Sequence, residues 1–315
     1  FGCLVGSEMC IRDRIGGMGI NNLSSVAVLK YNDRFAQFAY DNDFNLPQPP
    51  PAPTVSVFEG DGYITLNWAE TAAYTNSESY NQAGFKFEGY KVYQLPSATA
   101  SAADGVVVAI YDVPNGVKVI SEPALDGATG LFFDKPAHVG GDFGVSRMVI
   151  ITNDALKNRP ITNDRPYYFG VVAYAYLEDN AGAPFKSLES SLQVTTITPK
   201  QPNPGTAYEV DTGDYFDMAH SAGTSDGQGR IEVIDPGAVT GHNYKVDFED
   251  DGTGTLVWIV TDLTEGSKIL SGYSQGATFA DPGYPAADGL AWKVTGPPNA
   301  FKNFIVCLLY TSDAA

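Results

Sequence analysis

The chain reads as short apolar runs separated by glycine, proline, asparagine, aspartate and threonine, the punctuation of an all-β protein. Tyr167 to Tyr174 alternates aromatic and aliphatic residues as an extended strand, continuing to Tyr176. Tyr63 to Trp68 places Ile64, Leu66 and Trp68 on one face, because strand side chains point to opposite faces with a period of two. Phe85 to Leu95 predicts another strand, with Phe87, Tyr90, Val92 and Tyr93 as core candidates. Thr54 to Phe58 precedes these strands, and Ser190 to Ile197, where Leu192, Val194 and Thr196 alternate, follows them. Residues 70–84 read as a polar loop.

Between Leu95 and Pro166 the pattern predicts a hairpin of Val106–Val113 with Val117–Ser121 around Asn115-Gly116, a dipeptide suited to tight hairpin turns. Further strands are expected at Leu131–Asp134 and Val145–Thr152, and one helical turn at Asn153–Arg159. Asn22 to Tyr40 is the good helical candidate. Val28, Tyr31, Phe35, Phe38 and Ala39 recur at three- and four-residue steps, with Ser24 or Ser25 as cap. Residues 15–46 are thus expected to be the helical tail of a preceding domain. Five prolines between Leu46 and Pro53 mark a stiff linker at 47–53.

A second Pro-rich joint, 199–205, separates a sandwich at 54–198 from a second β-sandwich unit at 206–306. The first sandwich carries an insertion at about 95–165. In the second unit, Arg230–Ile234, Asn243–Glu249, Thr255–Asp262 and Leu290–Val294 are expected strands, with residues 250–254 as a hairpin turn. The fold class is therefore all-β: two sandwiches, the second lacking its last strands, and a short N-terminal helix.

The two ends change how the rest is weighed. Leu4–Asp13 and Cys307–Ala315 resemble translated transposase-type sequencing adapters. Back-translating residues 8–13 as GAG ATG TGT ATA AGA GAC, followed by A, gives a reverse complement that reads Cys-Leu-Leu-Tyr-Thr-Ser, the residues at 307–312. Residues 1–14 and 307–315 are accordingly expected to be adapter-derived. Cys3, Cys10 and Cys307 all fall there, so no disulfide or thiolate-metal argument applies to the remainder. The formal net charge is −18. Removing Glu8, Asp13 and Asp313 against Arg12 and Arg14 changes it by one, to −17. Such a field repels phosphate backbones and excludes nucleic acid as a partner. The apolar run Phe304–Tyr310 is far shorter than the ~20 residues of a membrane span.

Candidate chemistry is sparse. His138, His220 and His242 are scattered, without zinc-ligand spacing. There is no Gly-x-Ser-x-Gly elbow, and no catalytic or cofactor residue is assigned. Asp247, Glu249, Asp250 and Asp251 surround a turn and are candidate calcium ligands, since calcium takes several carboxylate and carbonyl oxygens. Asp211, Asp214 and Asp217 form a weaker cluster of the same kind. Tyr74, Tyr80, Tyr273 and Tyr284 stand in polar, loop-like surroundings where aromatic rings could stack on sugars.

The series ITLNW … FEGYKVYQ … RPYYFGVVAYAY … SLESSLQV, spanning about 55–197, resembles an expanded fibronectin type III module of secreted or surface proteins from Bacteroidetes-type bacteria. The stretch from GRIEVIDPGAVTGHNYKVDF to DGLAWKV at 229–294 resembles the β-rich module that follows it in such proteins. The resemblance implies packing roles for Trp68 and for Tyr167 or Tyr168, one of which would form a corner hydrogen bond. It also implies a non-enzymatic spacer, adhesion or binding module, extracellular or on the cell surface. Its partners would be other modules of the same polypeptide, surface glycans or proteins. An accessory region of a secreted peptidase or glycosidase, or a carbohydrate-binding module, is the alternative expectation.

Overall fold

The computed structural model describes residues 15–69, 74–178, 183–221, 227–250, 252, 256–276, 279 and 284–296, and the backbone alone of 222 and 303–307. The adapter-like stretches 1–14 and 308–315 lie outside the described residues, as does Asp251.

Helix α1 (Asn22–Asp41) is capped by Asn21, not by Ser24 or Ser25. The Asn21 side chain accepts from the Ser24 backbone N–H at 2.8 Å, and Ser24 Oγ accepts from Asn21 N–H at 2.8 Å. These reciprocal bonds satisfy two donors that a helix start leaves free. The helix is seated on the first module. Tyr31 stacks on Phe132 at 4.2 Å, and Phe35 and Phe38 meet Phe185 at 5.9 and 5.6 Å. Ser24 is buried beneath Gly130, where an added Cβ would lie 2.4 Å from the Ser24 Cβ. Gly130 also has φ +69°, so two constraints require glycine there.

The Pro-rich segment is held against the same body. Pro47, Pro50 and Pro53 are buried, every third residue, matching three residues per turn of a polyproline helix. Ser77 Oγ donates to Pro51 O at 2.9 Å, and Tyr80 donates its hydroxyl to Gln48 O.

The first module is a two-sheet sandwich with a third layer. Its strands are β1 (Ser56–Gly60), β2 (Tyr63–Asn67), β3 (Asn81–Gln82), β4 (Phe85–Leu95), β5 (Val106–Asp112), β6 (Val119–Leu125), β7 (Phe132–Val139), β8 (Met148–Ile151), β9 (Asn153–Asp154), β10 (Arg159–Pro160), β11 (Tyr167–Leu177), β12 (Ser187–Glu189) and β13 (Thr195–Ile197). A short helix, α2 (Tyr74–Glu78), interrupts the expected loop of residues 70–84. One sheet runs β1-β2-β8. The other has β4 and β11 at its centre, with β3 and β5 on the β4 side and β12 and β13 on the β11 side. Ile64, Leu66 and Trp68 meet Tyr90, Val92, Phe169, Val171 and Ile197 between the sheets. Tyr93 instead packs with Leu95 and Val172 on the outer face, as alternation from Tyr90 and Val92 requires. A register irregularity opposite Tyr174, where Glu88 is the extra residue of β4, lets Phe87 share the inner face with Tyr90.

Three expectations are corrected. Val106–Asp112 pairs with β4, while Val119–Leu125 pairs with Phe132–Val139, so the hairpin through Asn115-Gly116 does not form. The Asn115 amide donates to Glu88 Oε2 at 2.9 Å, and Gly116 turns the chain away from β5 at φ +89°. Residues 153–159 form the two-residue pairing of β9 with β10 and not a helical turn. Asp154 Oδ1 accepts from the N–H groups of Leu156 and Lys157 at 3.2 Å, an Asp-centred turn that closes this small hairpin. Finally, of the strand expected at 190–197 only Thr195–Ile197 forms, as β13; β12 at Ser187–Glu189 precedes it and residues 190–194 are not strand. Leu192 and Gln193 cross Gly170 so closely that a Cβ there would lie 2.5 Å from Leu192 Cδ1.

The second module comprises β14 (Tyr215–Asp217), β15 (Ala219–Ala222), β16 (Gln228–Val233), β17 (Asn243–Asp250), β18 (Leu256–Asp262), β19 (Ser267–Tyr273), β20 (Ala286–Ala287), β21 (Leu290–Thr295) and β22 (Asn303–Cys307). Sheet β14-β16-β21-β20 faces sheet β15-β22-β17-β18-β19. Their core holds Ile231, Tyr244, Val246, Trp258, Leu290 and Trp292, with Tyr244 edge-on to Trp292 at 5.1 Å. Strand β22 lies between β15 and β17 and supplies the strand expected to be missing; it ends at Cys307, the first residue of the expected adapter-derived tail.

Trp68 is 1 % exposed and touches Tyr90 at 5.4 Å. Trp68→Ala is expected to cost about 3–5 kcal/mol, the range for emptying a large aromatic site. Urea unfolding measures this, and a loss below about 1 kcal/mol would show that Trp68 does not hold the sheets together.

Candidate functional site

The sequence candidates do not converge. Asp247 pairs with Lys245 at 2.8 Å, Glu249 with Lys268 at 2.9 Å, and Asp250 accepts from Gly252 N–H at 2.7 Å. Asp217 pairs with Arg230 at 2.6 Å, while Asp214 accepts from Asp211 N–H at 2.9 Å. Among the described residues, no group of three or more His, Cys, Asp or Glu side chains is placed to hold a metal ion. His220 is exposed on β15. His242 binds Asp262 at 2.6 Å, and that hydrogen bond raises its pKa.

The four tyrosines do not make an exposed platform. Tyr74 and Tyr284 are buried, and Tyr80 is tied to the Pro-rich segment. Tyr74 of the first module and Tyr273 of the second stack with ring centroids 6.3 Å apart and planes 21° from parallel. Tyr167 fills the corner role: its hydroxyl accepts from Thr162 N–H at 2.9 Å. Tyr168 points to the opposite face, against Tyr93 and Leu95.

The concentration of ionisable groups lies away from the acidic and tyrosine candidates and takes in one of the three histidines, His138. Hairpin β6–β7 covers the outer face of β4 and β11, and a polar layer is buried beneath it. Lys91, 5 % exposed in its side chain, binds Glu189 at 2.7 Å and donates to Ala137 O on β7 at 3.2 Å. His138 stacks on Tyr174 at 4.4 Å, with Nε2 2.9 Å from Ser187 Oγ. Ser187 Oγ donates to Glu122 on β6 at 2.7 Å, and Glu122 also accepts from Lys186 N–H at 2.9 and 3.0 Å. The hairpin is therefore latched to the sheet by charge-assisted bonds, in which Lys91 and His138 are buried and Glu122, Ser187 and Glu189 half-buried.

Burial sets the electrostatics. Desolvation pushes the His138 pKa down to about 3, reinforced by the Lys91 ammonium. The Tyr174 and Tyr93 hydroxyls are pushed up, first by burial and then by neighbouring carboxylates. Glu88, 3 % exposed, is raised to about 7 by desolvation, then by Asp112, Asp142 and Glu178, with the Asn115 hydrogen bond pulling the other way. The order carboxylate–hydroxyl–imidazole along Glu122, Ser187 and His138 differs from an acyl-transfer triad, where the imidazole lies between the other two. This arrangement locks the hairpin to the sheet.

Of these residues the sequence draws attention to His138, as one of three scattered histidines, and to Tyr93 and Tyr174, as strand aromatics; it does not single out Glu88, Lys91, Glu122, Ser187 or Glu189. The available signal was Glu88, Lys91 and Gln94 within the strand 85–95, polar side chains placed where a sheet centre has no water. No family model, curated protein or solved structure matches this chain.

His138 gives a pH dependence. Between pH 6.5 and about 3 the unfolded chain binds a proton at this residue that the folded chain excludes. Its contribution is therefore fully present above pH 6.5 and is lost as pH falls toward 3. His138→Phe keeps a ring on Tyr174 and should lower Tm less than wild type between about pH 7 and about pH 5. An equal drop in both proteins would contradict neutral burial of this imidazole.

Proposed function

We propose that this chain is a non-catalytic stretch of an exported or cell-surface bacterial protein. In this reading a fibronectin type III-like sandwich and a second β-sandwich form a stiff spacer that presents neighbouring modules. The observation that carries it is an unbroken line of packed side chains joining the two cores. Trp258, buried in the second core, meets Tyr273 at 5.2 Å; Tyr273 lies on Tyr74; and the Arg147 guanidinium sits 4.3 Å over the Tyr74 ring. Arg147 forks onto both oxygens of Glu78 at 2.8 Å, and Tyr90 of the first core donates to Glu78 at 3.1 Å.

Two further contacts flank this line. Phe58 and Met148 pack against Ile234, Ala286 and Ala291, and Thr212 donates to the Tyr63 hydroxyl at 2.7 Å. A flexible tether needs none of these contacts, whereas a spacer that fixes the direction of the next module needs such a joint. The antiparallel pairing of β1-β2-β8 opposite the β4–β11 sheet, and the Tyr167 corner bond, support the fibronectin-like assignment.

Differential scanning calorimetry tests the stiff joint. Wild type is expected to unfold in one transition, and the Tyr74→Ala, Tyr273→Ala double variant in two. Two separate transitions already in wild type would sink the spacer reading.

A further inference from the structure

A cleft of about 650 Å³ opens between the last turn of α1, the β3–β4 turn and the ends of β4 and β11. Phe38, Tyr176, Lys86, Glu88, Asn115 and Glu178 are among its lining residues. The cleft has apolar walls and an acidic floor. At that floor Glu88 is 3 % exposed; its Oε2 takes the Asn115 amide, and its Oε1 has no hydrogen-bond partner among the described residues. Asp112, close by but not part of the cleft lining, is 2 % exposed; its Oδ1 accepts from Asp142 N–H at 2.8 Å, and its Oδ2 is likewise unpartnered among the described residues. Buried acceptors without donors are rare in native proteins and call for an explanation. Here the two bare oxygens belong to carboxyls that repel each other, in a chain of net charge −18.

We propose that this cleft binds an organic ammonium group, with its apolar stem against Phe38 and Tyr176 and its N–H donors directed at Glu88. A cation of this kind supplies the missing donor and relieves the like-charge crowding. A multivalent metal ion fits less well, because no three-ligand set is placed among the described residues. Aromatic walls also favour an organic cation over a hydrated one. The groups acting on Glu88 are Asp112 from β5, Asp142 from the segment after β7, Tyr174 from β11 and Glu178 just beyond it, while Lys86 of its own strand lines the same cleft. Helix α1 contributes Phe38 and Asn42, neither of which titrates.

Isothermal titration of the whole chain tests this, with n-butylamine hydrochloride and an acetyl-Gly-Lys-Gly-amide peptide as probes. Calorimetry at about pH 8, above the raised Glu88 pKa of about 7, should detect butylamine and not the neutral n-butanol. Glu88→Gln keeps the shape and should weaken binding at least about tenfold, the scale of losing a charge-assisted bond. Binding of butylamine alone identifies a free small amine as the ligand class; binding of both probes identifies a lysyl side chain presented on a peptide. Wild-type affinity should also fall as pH drops below about 7 and Glu88 takes a proton, a readout that stands even if the variant fails to fold. The proposal is overturned if neither amine binds, if butanol or calcium chloride alone matches the amine signal, if the Gln variant binds equally well, or if the pH profile is flat.

Discussion

The antiparallel pairing of β4 with β11 is the constraint on which the first module depends. It runs from Phe85 opposite Leu177 to Leu95 opposite Tyr168, and it is covered on both faces. One face meets β1, β2 and β8 through Trp68, Leu66 and Ile64. The other meets the β6–β7 hairpin through His138 and Lys91. A sheet open to water on one side shows a clean alternation of apolar and polar residues, whereas one covered on both sides does not. That is why both parities of Tyr167–Leu177 are apolar or aromatic, and why nearly every residue of Phe85–Leu95 is buried.

Covering the second face with a polar strand pair has an energetic cost. Lys91 and Glu189 leave water, and their mutual attraction offsets that loss only because the remaining donors and acceptors are also met. Ala137 O, the Tyr93 hydroxyl, Ser187 and Glu122 supply most of these partners. A register slip of one residue would turn Lys91 into the apolar core and Val92 into the polar layer. The layer thus specifies alignment more than it adds stability. The matching stops at His138 Nδ1, Glu88 Oε1 and Asp112 Oδ2, which have no partner among the described residues.

Much of this was legible in local pattern. Strands at 63–68, 85–95 and 167–176, the helix from Asn22 and the strands around Trp258 and Trp292 follow from periodicity and turn residues alone. What was illegible was the choice of distant partner. Asn115-Gly116 does turn the chain, yet the strand before it belongs to β4 and the one after it to β7. Local propensity is the same in either pairing; only the apolar edge of β4 decides. Likewise Tyr74 and Tyr273 look like exposed loop aromatics until the two modules are brought together. The cap of α1 was misread because Asn21 and Ser24 are both good capping residues, and the buried seat under Gly130 chose between them.

The docking of α1 has a mechanical consequence. The helix holds to the body through a few ring contacts, Tyr31 on Phe132 and Phe35 and Phe38 on Phe185, whereas β4 and β11 are joined by a long antiparallel ladder. Tension drawn along the polypeptide from its amino end would peel the helix first, one ring at a time, and then the Pro-rich strap held by Ser77 and Tyr80. Slack would be released in steps before the sandwich felt the full load, so the segment ahead of β1 would serve as a shock absorber for the body behind it.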